Sequence, residues 1–307
     1  MRNLVPTLFR SWLNGRFRCI SSEKRLPFRL KRPKVIVHRG DTTAGAPENS
    51  LSAFRHGVEV SGAHGFECDI RRAMDGALVI LHDPKVGRTA APTARSPGKK
   101  RWVRELTGKE LRTFRLKLPL RETIPSLEEV LDYVGSREGL ICYLEFKEGN
   151  LEYIRAIIET VRRYQLQDRV LFISFDASTL ALAKEMAPEI PGEVIVVNIF
   201  HRLVDVARAA RADGVAIAVL TFRFVRSWLQ AEVQKAHEAG LWVNAGVVNS
   251  LHFLPWLLAS GIDGIFTDDP RLILQGLQEL VGEGEAGPSP VPLILRPEAD
   301  IRPDFDP

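Results

Sequence analysis

Cysteine is scarce in this chain of 307 residues, which holds only Cys19, Cys68 and Cys142. The number is odd and no two of them have Cys-x-x-Cys spacing, so the pattern argues against a disulfide framework. Two of the three also lie inside runs that predict buried strands. A reducing cytoplasm is therefore the compartment that the sequence favours.

Long apolar runs and a strong net charge are missing as well. No run reaches the roughly 18 uninterrupted apolar residues of a membrane span. The N-terminus is basic, but it has no apolar segment followed by a small-residue cleavage site, which does not favour secretion. The net charge of +4, from 42 basic and 38 acidic residues, is too small to indicate nucleic-acid binding. We therefore expect a cytoplasmic, globular protein that binds no nucleic acid.

The basic residues are unevenly spread, with ten of them against one acidic residue in the first 34 positions. Within this arm, residues 1–33, an apolar stripe of Leu4, Leu8 and Trp12 recurs every four positions. One interpretation is an amphipathic helix that binds anionic lipid at the inner membrane face. The other, favoured by Gly15, Pro27 and Pro33, is a solvated extension. Both interpretations predict that the arm is separate from the globular domain.

From residue 34 to residue 281, short β-branched runs alternate with helical patterns. Eight such units in about 250 residues predict a TIM (β/α)8 barrel. The alternative, a doubly wound open sheet, is disfavoured because no Gly-rich phosphate-binding fingerprint follows any of the runs. The predicted strands are Val35–His38, Gly65–Ile70, Leu140–Phe146, Val170–Ser174, Glu193–Val197, Gly214–Ala218, Leu241–Asn244 and Gly264–Thr267.

Two segments depart from the repeat. Asp75-Gly76 is a hairpin-turn signal, so Ala77–His82 is predicted to be an extra strand on the second strand-to-helix connection. Residues 84–124, which follow it, are basic and turn-rich, with a weak helix near Lys109–Phe114. They indicate a small insertion over one mouth of the barrel. The Pro-rich residues 282–307 indicate a loose tail.

Carboxylates and basic groups recur two residues apart at predicted strand ends. Glu67 and Asp69 share one face of the second strand, and Glu145 and Lys147 share one face of the third. Near the carboxyl ends of barrel strands, that face is the mouth where active sites lie. Three carboxylates without a thiolate suit a hard cation, Mg²⁺ or Ca²⁺. The simpler alternative is that they are salt-bridged rim residues.

Two histidines, His38 and His82, also lie at or near strand ends. Cleavage of a phosphodiester needs a base for the attacking oxygen and an acid for the departing alkoxide, and imidazole serves both near neutral pH. Arg39 could grip a phosphoryl oxygen through its planar fork, or brace the loop that holds Pro47 and Glu48. The other five histidines are interpreted as structural.

In this order, these residues resemble a known family, the glycerophosphodiester phosphodiesterases. The resemblance covers roughly Val35 to Leu280 and rests on a string of motifs. They are His38-Arg39-Gly40, Ala46-Pro47-Glu48-Asn49-Ser50, Glu67-Cys68-Asp69, Asp75-Gly76, His82-Asp83, Glu105-Leu106-Thr107, Ile124-Pro125-Ser126-Leu127-Glu128-Glu129, Leu144-Glu145-Phe146-Lys147 and Gly264-Ile265-Phe266-Thr267-Asp268-Asp269-Pro270.

The resemblance implies a TIM barrel that hydrolyses glycerophosphodiesters to glycerol 3-phosphate and an alcohol with one divalent metal. It implies that Glu67, Asp69 and Glu145 bind the metal and that His38 and His82 act as acid and base. It also implies that Arg39 and Lys147 bind phosphate. Glu48 would then give support near the metal or to Arg39. It also implies a two-step route through a cyclic phosphate.

One departure concerns the segment Val243–Asn249, where Gly246 stands at a position at which family members often carry tryptophan. Two other functions stay open. One is lysophospholipase D or sphingomyelinase D-like activity, with the same chemistry on membrane lipids. The other is a non-catalytic, membrane-associated binding protein. The expected ligand is accordingly a small glycerophosphodiester or a lysolipid.

Overall fold

The computed structural model of the protein describes residues 33–117, 122–222 and 224–281. The predicted tail, and all of the predicted arm except its last residue, lie outside these described residues. Within them, no helix is both long enough and apolar enough to cross a lipid bilayer.

The centre of the fold is a closed ring of eight parallel strands, which confirms the predicted TIM barrel. The ring closes because the first strand pairs with both the second and the last. Observed and predicted strand ends differ by at most two residues. The strands are β1 Lys34–His38, β2 Gly65–Arg72, β6 Ile141–Phe146, β7 Val170–Ser174, β8 Gly192–Val196, β9 Gly214–Ala218, β10 Trp242–Gly246 and β11 Gly264–Thr267.

Helices cover the outside of the ring, and the predicted start signals are confirmed. Ser126 and Glu129 form a reciprocal capping box. Asp176 caps the helix that begins at Ala177, because its side chain accepts from the Ser178 backbone N–H. The Asp269 side chain accepts from the Leu272 backbone N–H at 3.0 Å. The helices are α1 Leu51–Arg55, α2 Gly108–Leu111, α3 Leu127–Gly135, α4 Leu151–Arg163, α5 Ala177–Met186, α6 Leu203–Ala209, α7 Val219–Phe222, α8 Arg226–Glu238, α9 Leu254–Ala259 and α10 Pro270–Val281.

Alternation along β2 decides which side chains reach the barrel interior. Cys68 points outward and is buried, with its Sγ atom 4.0 Å from the Sγ atom of Cys142 on the neighbouring strand. Both thiols are free. Because side chains alternate along a strand, Glu67 and Asp69 on either side of Cys68 face the interior.

Away from Glu67 and Asp69, the interior has an apolar part and a hydrogen-bonded polar cluster near the amino ends of the strands. Trp242 Nε1 and Asn244 Nδ2 each donate to Glu193 Oε2 at 2.6 Å. Burial raises the pKa of Glu193 to about 8, so this carboxyl is largely neutral at pH 7. The apolar part is formed by Ile36, Ile141, Tyr143, Leu171, Ile173, Ala216 and Phe266.

The connection that leads to the insertion begins where β2 extends beyond the end of its neighbour β1. The end of β2 pairs antiparallel with β3 Leu78–Ile80, through a turn in which Gly76 has a φ of 87°. The predicted strand Ala77–His82 is thus shorter than expected, because antiparallel pairing with β2 extends only from Leu78 to Ile80. Within residues 84–124, β4 Ala90–Ala91 pairs with β5 Arg115–Leu116.

The insertion and the residues around β3 share a hydrophobic core, in which Val79, Leu81, Val103, Leu111 and Phe114 are almost fully buried. The helix predicted near Lys109–Phe114 is the shorter α2, which starts at a Thr107 capping box and ends at Leu111. A packed core fixes the position of the segment against the barrel. It therefore also fixes His82, which follows β3 directly before the insertion.

Candidate active site

Three buried carboxylates meet where β2 and β6 end at the barrel mouth, the side formed by the carboxyl ends of the strands. Asp69 pairs in register with Glu145 on the neighbouring strand, and Glu67 lies two residues before Asp69. One oxygen of each carboxylate lies within 4.8 Å of the others. The structure thus brings together the three residues that the sequence singled out as a metal site.

The electrostatics of this carboxylate cluster fit a divalent cation. Burial, followed by the charges of Asp69 and Glu145, raises the pKa of Glu67, and burial likewise raises the pKa of Glu145. Oε1 of Glu67 is buried and has no hydrogen-bond partner among the described residues. A hard cation would satisfy that oxygen and offset the repulsion between the carboxylates.

Two cationic side chains flank Asp69. Lys147 Nζ lies 2.8 Å from Asp69 Oδ1 and also contacts Glu145 Oε1, while Arg39 Nε lies 3.2 Å from Asp69 Oδ2. Burial alone would raise the pKa of Asp69, but these two cations lower it below its ordinary value. Asp69 therefore stays ionised, and both cations are held at the mouth.

Arg39 reaches this position through an unusual turn after β1. Its φ is 56° and that of Gly40 is 85°, so two consecutive residues adopt the left-handed region. A Cβ atom on Gly40 would lie 2.5 Å from the Cβ of Ala53. The Arg39 backbone N–H donates to the Glu67 carbonyl at 3.1 Å, which fixes the turn over the carboxylates. Such backbone strain is concentrated at functional sites.

Asn49 was not predicted to be a site residue, although it stands in the motif after Glu48. Its Nδ2 donates to Asp69 Oδ2 at 2.6 Å, and its Oδ1 accepts from the Asp69 backbone N–H at 3.2 Å. The Asn49 backbone N–H also donates to the Arg39 carbonyl at 2.8 Å. This buried amide therefore orients both Asp69 and the Arg39 turn.

His38 lies at the end of β1, between two carboxylates. Its Nδ1 is 2.8 Å from Asp268 Oδ1, and its Nε2 is 4.0 Å from Glu67 Oε2. Asp268 is held by Asn249, whose Nδ2 donates to Asp268 Oδ2 at 2.5 Å. Burial would raise the pKa of Asp268, but the hydrogen bond with His38 lowers it. An ionised Asp268 accepts a hydrogen bond from Nδ1–H of His38, which leaves Nε2 of His38 facing the site.

His82 forms a second histidine–aspartate pair on the insertion side of the mouth. Its Nδ1 lies 3.0 Å from Asp83 Oδ1, and burial lowers the pKa of the ring. Arg88 contacts Asp83 Oδ2 at 2.5 Å and Glu48 Oε1 at 3.0 Å, and Glu48 Oε1 is 3.8 Å from Arg39 NH1. A continuous chain of charges therefore connects His82 to Arg39.

Glu48 thus contacts two arginines, Arg39 and Arg88, and its supporting role stays a prediction. Asp268, Asp83 and Arg88 were not singled out from the sequence. Asp83 could have been predicted because it directly follows His82. Asp268 could have been predicted because it follows the strand that pairs with β1 when the barrel closes.

Gly246, the residue where tryptophan was expected, ends β10. A Cβ atom there would lie 2.8 Å from the Cβ of Phe266. Phe266 is itself buried and packs edge-on against Tyr143 with ring centroids 5.0 Å apart. The ring of Phe266 therefore fills the interior that a side chain at Gly246 would enter.

The arrangement combines a cation site, two flanking basic side chains and two histidines backed by carboxylates. Together these groups can polarise an anionic ester, remove a proton from an attacking oxygen and protonate a departing one.

Comparison with known proteins agrees with this chemistry. Residues 38–272 match the model of the glycerophosphoryl diester phosphodiesterase family. A glycerophosphodiester phosphodiesterase of Bacillus altitudinis is 32% identical over 259 residues, which cover 80% of this chain and 99% of the relative.

Solved structures of related proteins share the fold. A glycerophosphodiester phosphodiesterase from Parabacteroides distasonis has a TM-score of 0.68 and 22% identity, and the match covers 81% of this chain and 98% of the other. A phosphodiesterase from Oleispira antarctica, solved in complex with the product sn-glycerol-3-phosphate, has a TM-score of 0.67 and 27% identity, with coverages of 80% and 97%. The family match spans most of the chain and includes every carboxylate and histidine described above. This chain belongs to the glycerophosphoryl diester phosphodiesterase family.

Proposed function

We propose that this protein hydrolyses glycerophosphodiesters to glycerol 3-phosphate and an alcohol, using the carboxylate cluster, its flanking cations and the two histidine–aspartate pairs. The observation that carries the proposal is the buried cluster of Glu67, Asp69 and Glu145, with Lys147 and Arg39 on either side of Asp69. Family membership and the product held by the Oleispira antarctica relative support the same reaction.

Glu67, Asp69 and Glu145 would hold one divalent cation, Mg²⁺ or Ca²⁺, because their oxygen donors suit hard ions. When bound, the cation supplies positive charge beside the phosphate and so favours the transition state. Arg39 and Lys147 bind the phosphoryl oxygens through charge-assisted hydrogen bonds. Glu48 and Asn49 keep Arg39 in its strained turn during this step.

His38 and His82 divide the proton transfers. One imidazole Nε2 takes the proton from the attacking oxygen, and the other gives a proton to the departing alcohol oxygen. Asp268 orients His38 and Asp83 orients His82, since each carboxylate lies within 3.0 Å of the Nδ1 atom. In the route that passes through a cyclic phosphate, the first attacking oxygen is the neighbouring glycerol hydroxyl and the second is water.

Release of glycerol 3-phosphate tests this proposal directly. The purified full chain should release it from glycerophosphocholine and glycerophosphoethanolamine when Mg²⁺ or Ca²⁺ is present. Excess chelator should abolish the release, and restored Mg²⁺ should recover it. Full activity in excess chelator would contradict the metal site, and no release from any glycerophosphodiester with either metal would contradict the reaction.

The basic arm, residues 1–33, is proposed to add weak binding to anionic membranes. Each basic residue near an anionic bilayer contributes about 1 kcal/mol, so the nine in this arm can hold a protein at a lipid surface at low salt. We expect salt-sensitive binding to phosphatidylserine vesicles that is lost when residues 1–33 are deleted. Hydrolysis of glycerophosphocholine should be nearly unchanged by the deletion. Equal vesicle binding by the full-length and shortened chains at low salt would contradict this role.

A further inference from the structure

Arg71 is a basic side chain at the barrel mouth that the site described above does not use. It lies two residues after Asp69 on β2, and because side chains alternate along a strand, it shares the face of Glu67 and Asp69. Its Nε and NH2 atoms both donate to the backbone carbonyl of His82, at 3.0 Å and 2.6 Å. This contact places the guanidinium beside one of the two histidines that are proposed to transfer protons.

The positive charge of Arg71 is not neutralised by an ion pair. The side chain is half-buried, and among the described residues its NH1 atom donates no hydrogen bond and no carboxylate pairs with it. Asp69, Asp83 and Glu148 attract it from longer range. Asp69 and Asp83 already pair with other cations, at 2.8 Å and 2.5 Å, and Glu148 accepts from a backbone N–H at 3.4 Å. A half-buried charge without a negative partner is costly, so this guanidinium is suited to an anionic ligand.

The insertion adds positive charge beside the same part of the mouth. Residues 84–117 hold eleven basic and two acidic residues. Within the described part of the chain, Arg88, Arg101 and Arg112 are the basic residues of this segment that pair with carboxylates. A surplus of positive charge near a site raises the local concentration of anionic ligands. Both observations indicate a substrate that carries more negative charge than the scissile phosphate alone.

We propose that Arg71 binds an anionic group on the alcohol moiety of the substrate, so that the protein prefers glycerophosphodiesters whose alcohol carries a carboxylate or a second phosphate. The glycerol moiety carries only hydroxyl groups, so a second negative charge belongs to the alcohol. A planar guanidinium binds both carboxylates and phosphates well. The proposal rests on the proposed function and names its substrate class.

The spacing along β2 separates this anionic group from the phosphate that is hydrolysed. Arg39 and Lys147, the proposed ligands of that phosphate, both contact Asp69, whereas Arg71 lies two residues further toward the carboxyl end of β2. Two residues rise about 7 Å along a strand. A group that Arg71 holds is therefore a few bonds away from phosphorus, which is where a short alcohol such as 3-hydroxypropanoate places its carboxylate.

Two synthetic diesters of glycerol 3-phosphate that differ in charge but hardly in size test the proposal. Their alcohols are 3-hydroxypropanoate and its neutral amide, 3-hydroxypropanamide. With Mg²⁺ present, the unaltered full chain should hydrolyse the carboxylate diester with at least roughly tenfold higher kcat/KM, because only the carboxylate forms a charge-assisted hydrogen bond with Arg71. A third diester, with 2-hydroxyethyl phosphate as its alcohol, distinguishes the two anions. The larger preference over the amide identifies the group that Arg71 binds.

Substitution of Arg71 should remove this preference. In Arg71→Gln, the ratio of kcat/KM for the carboxylate diester to that for the amide diester should fall below about twofold. Arg71→Lys keeps the charge without the planar fork and should retain a ratio of at least about threefold. The matched control is Arg72→Gln, because Arg72 faces the other side of β2 and pairs with Glu152 at 2.9 Å. This control should keep the full preference.

The ratio separates substrate binding from simple support of His82. Loss of support alone would lower kcat/KM for both diesters by the same factor and leave their ratio unchanged, and that result would overturn the proposal. Equal kcat/KM for the two diesters with the unaltered chain would overturn it as well. If Arg71→Gln does not fold, the unaltered chain and Arg71→Lys still decide the outcome.

A binding measurement separates this proposal from the proposed function. Calorimetric titration with the phosphate monoesters of 3-hydroxypropanoate and 3-hydroxypropanamide, in the presence of Mg²⁺, requires no turnover. The carboxylate monoester should bind at least roughly tenfold more tightly, and Arg71→Gln should reduce that preference below about twofold. A failure of the proposed function would abolish release of glycerol 3-phosphate from all three diesters, whereas the binding preference would still decide the role of Arg71.

Discussion

Alanine at either His38 or His82 is expected to lower kcat for glycerophosphocholine by roughly 10²–10⁴-fold, the usual contribution of a positioned acid or base. Each ring is held by a carboxylate at its Nδ1 atom, so its Nε2 atom is the nitrogen available for proton transfer. Release of glycerol 3-phosphate under saturating substrate and Mg²⁺ measures the effect. Near-normal kcat in both variants would remove the two histidines from the mechanism.

The leaving group separates the two roles. An aryl phosphodiester departs without protonation, so it should restore much of the lost rate in the variant that lacks the acid and little in the variant that lacks the base. The same comparison for Asp268→Asn tests orientation. We expect a smaller fall in kcat than for His38→Ala, and the same leaving-group pattern as His38→Ala, because Asp268 acts through His38.

His237 provides a matched control for these variants. Its Nε2 lies 2.8 Å from Asp263 Oδ2, which reproduces a histidine–aspartate contact on the outside of the barrel near the amino end of β10. Exposed pairs of this kind contribute little to stability. His237→Ala should therefore leave kcat unchanged, and a comparable loss there would show that the effects at His38 and His82 are not specific to the mouth.

Removal of one carboxylate is expected to have the second large effect. Glu67→Gln, Asp69→Asn and Glu145→Gln should each weaken Mg²⁺ binding by at least the 10–100-fold that follows from disturbing residues around metal ligands. Loss of charge stabilisation should lower kcat/KM by roughly 10²–10³-fold. Calorimetric titration with Mg²⁺ and the rate of glycerol 3-phosphate release measure the two effects separately.

Although Glu67→Gln should lose metal affinity and activity, its thermal stability without metal should not fall. The pKa of Glu67 is raised, so in the absence of metal its contribution to stability is complete below the ordinary glutamate pKa and is lost as pH rises through the folded-state pKa. Glutamine carries no such charge. At pH 8 without metal, the variant should therefore unfold at the same temperature as the unaltered protein or a higher one.

Glu232→Gln is the control for this series, because Glu232 is buried on α8 and accepts from the Leu203 backbone at 3.2 Å, away from the mouth. It should keep normal Mg²⁺ affinity and kcat/KM. If a carboxylate variant at the mouth loses activity but keeps normal metal affinity, the metal assignment is wrong.

The sequence by itself determined the barrel and the cluster of three carboxylates. Strand and cap signals are local, so the eight strands and the caps at Ser126, Asp176 and Asp269 follow from neighbouring residues. The same holds for Glu67 with Asp69, because residues two apart on a strand share a face. The convergence of Glu145 on that pair followed from the parallel packing of adjacent barrel strands.

Only the tertiary structure decided which groups surround the proposed catalytic side chains. Asp268 reaches His38 because the last strand closes against the first, across 230 positions of sequence. Arg88 joins Asp83 to Glu48 because the insertion packs on its own core beside the mouth. Such contacts depend on ring closure and on packing between distant segments, and no local pattern encodes those distances.

The placement of three exposed apolar residues around the mouth has the same origin. Phe175, Phe200 and Leu220 are single exposed residues in three separate segments, and nothing in their local sequence relates them. The segments that carry them lie on one side of the mouth because β7, β8 and β9, which precede them, are neighbours in the closed ring. The sequence specifies each side chain, and the closure of the barrel decides which segments become neighbours.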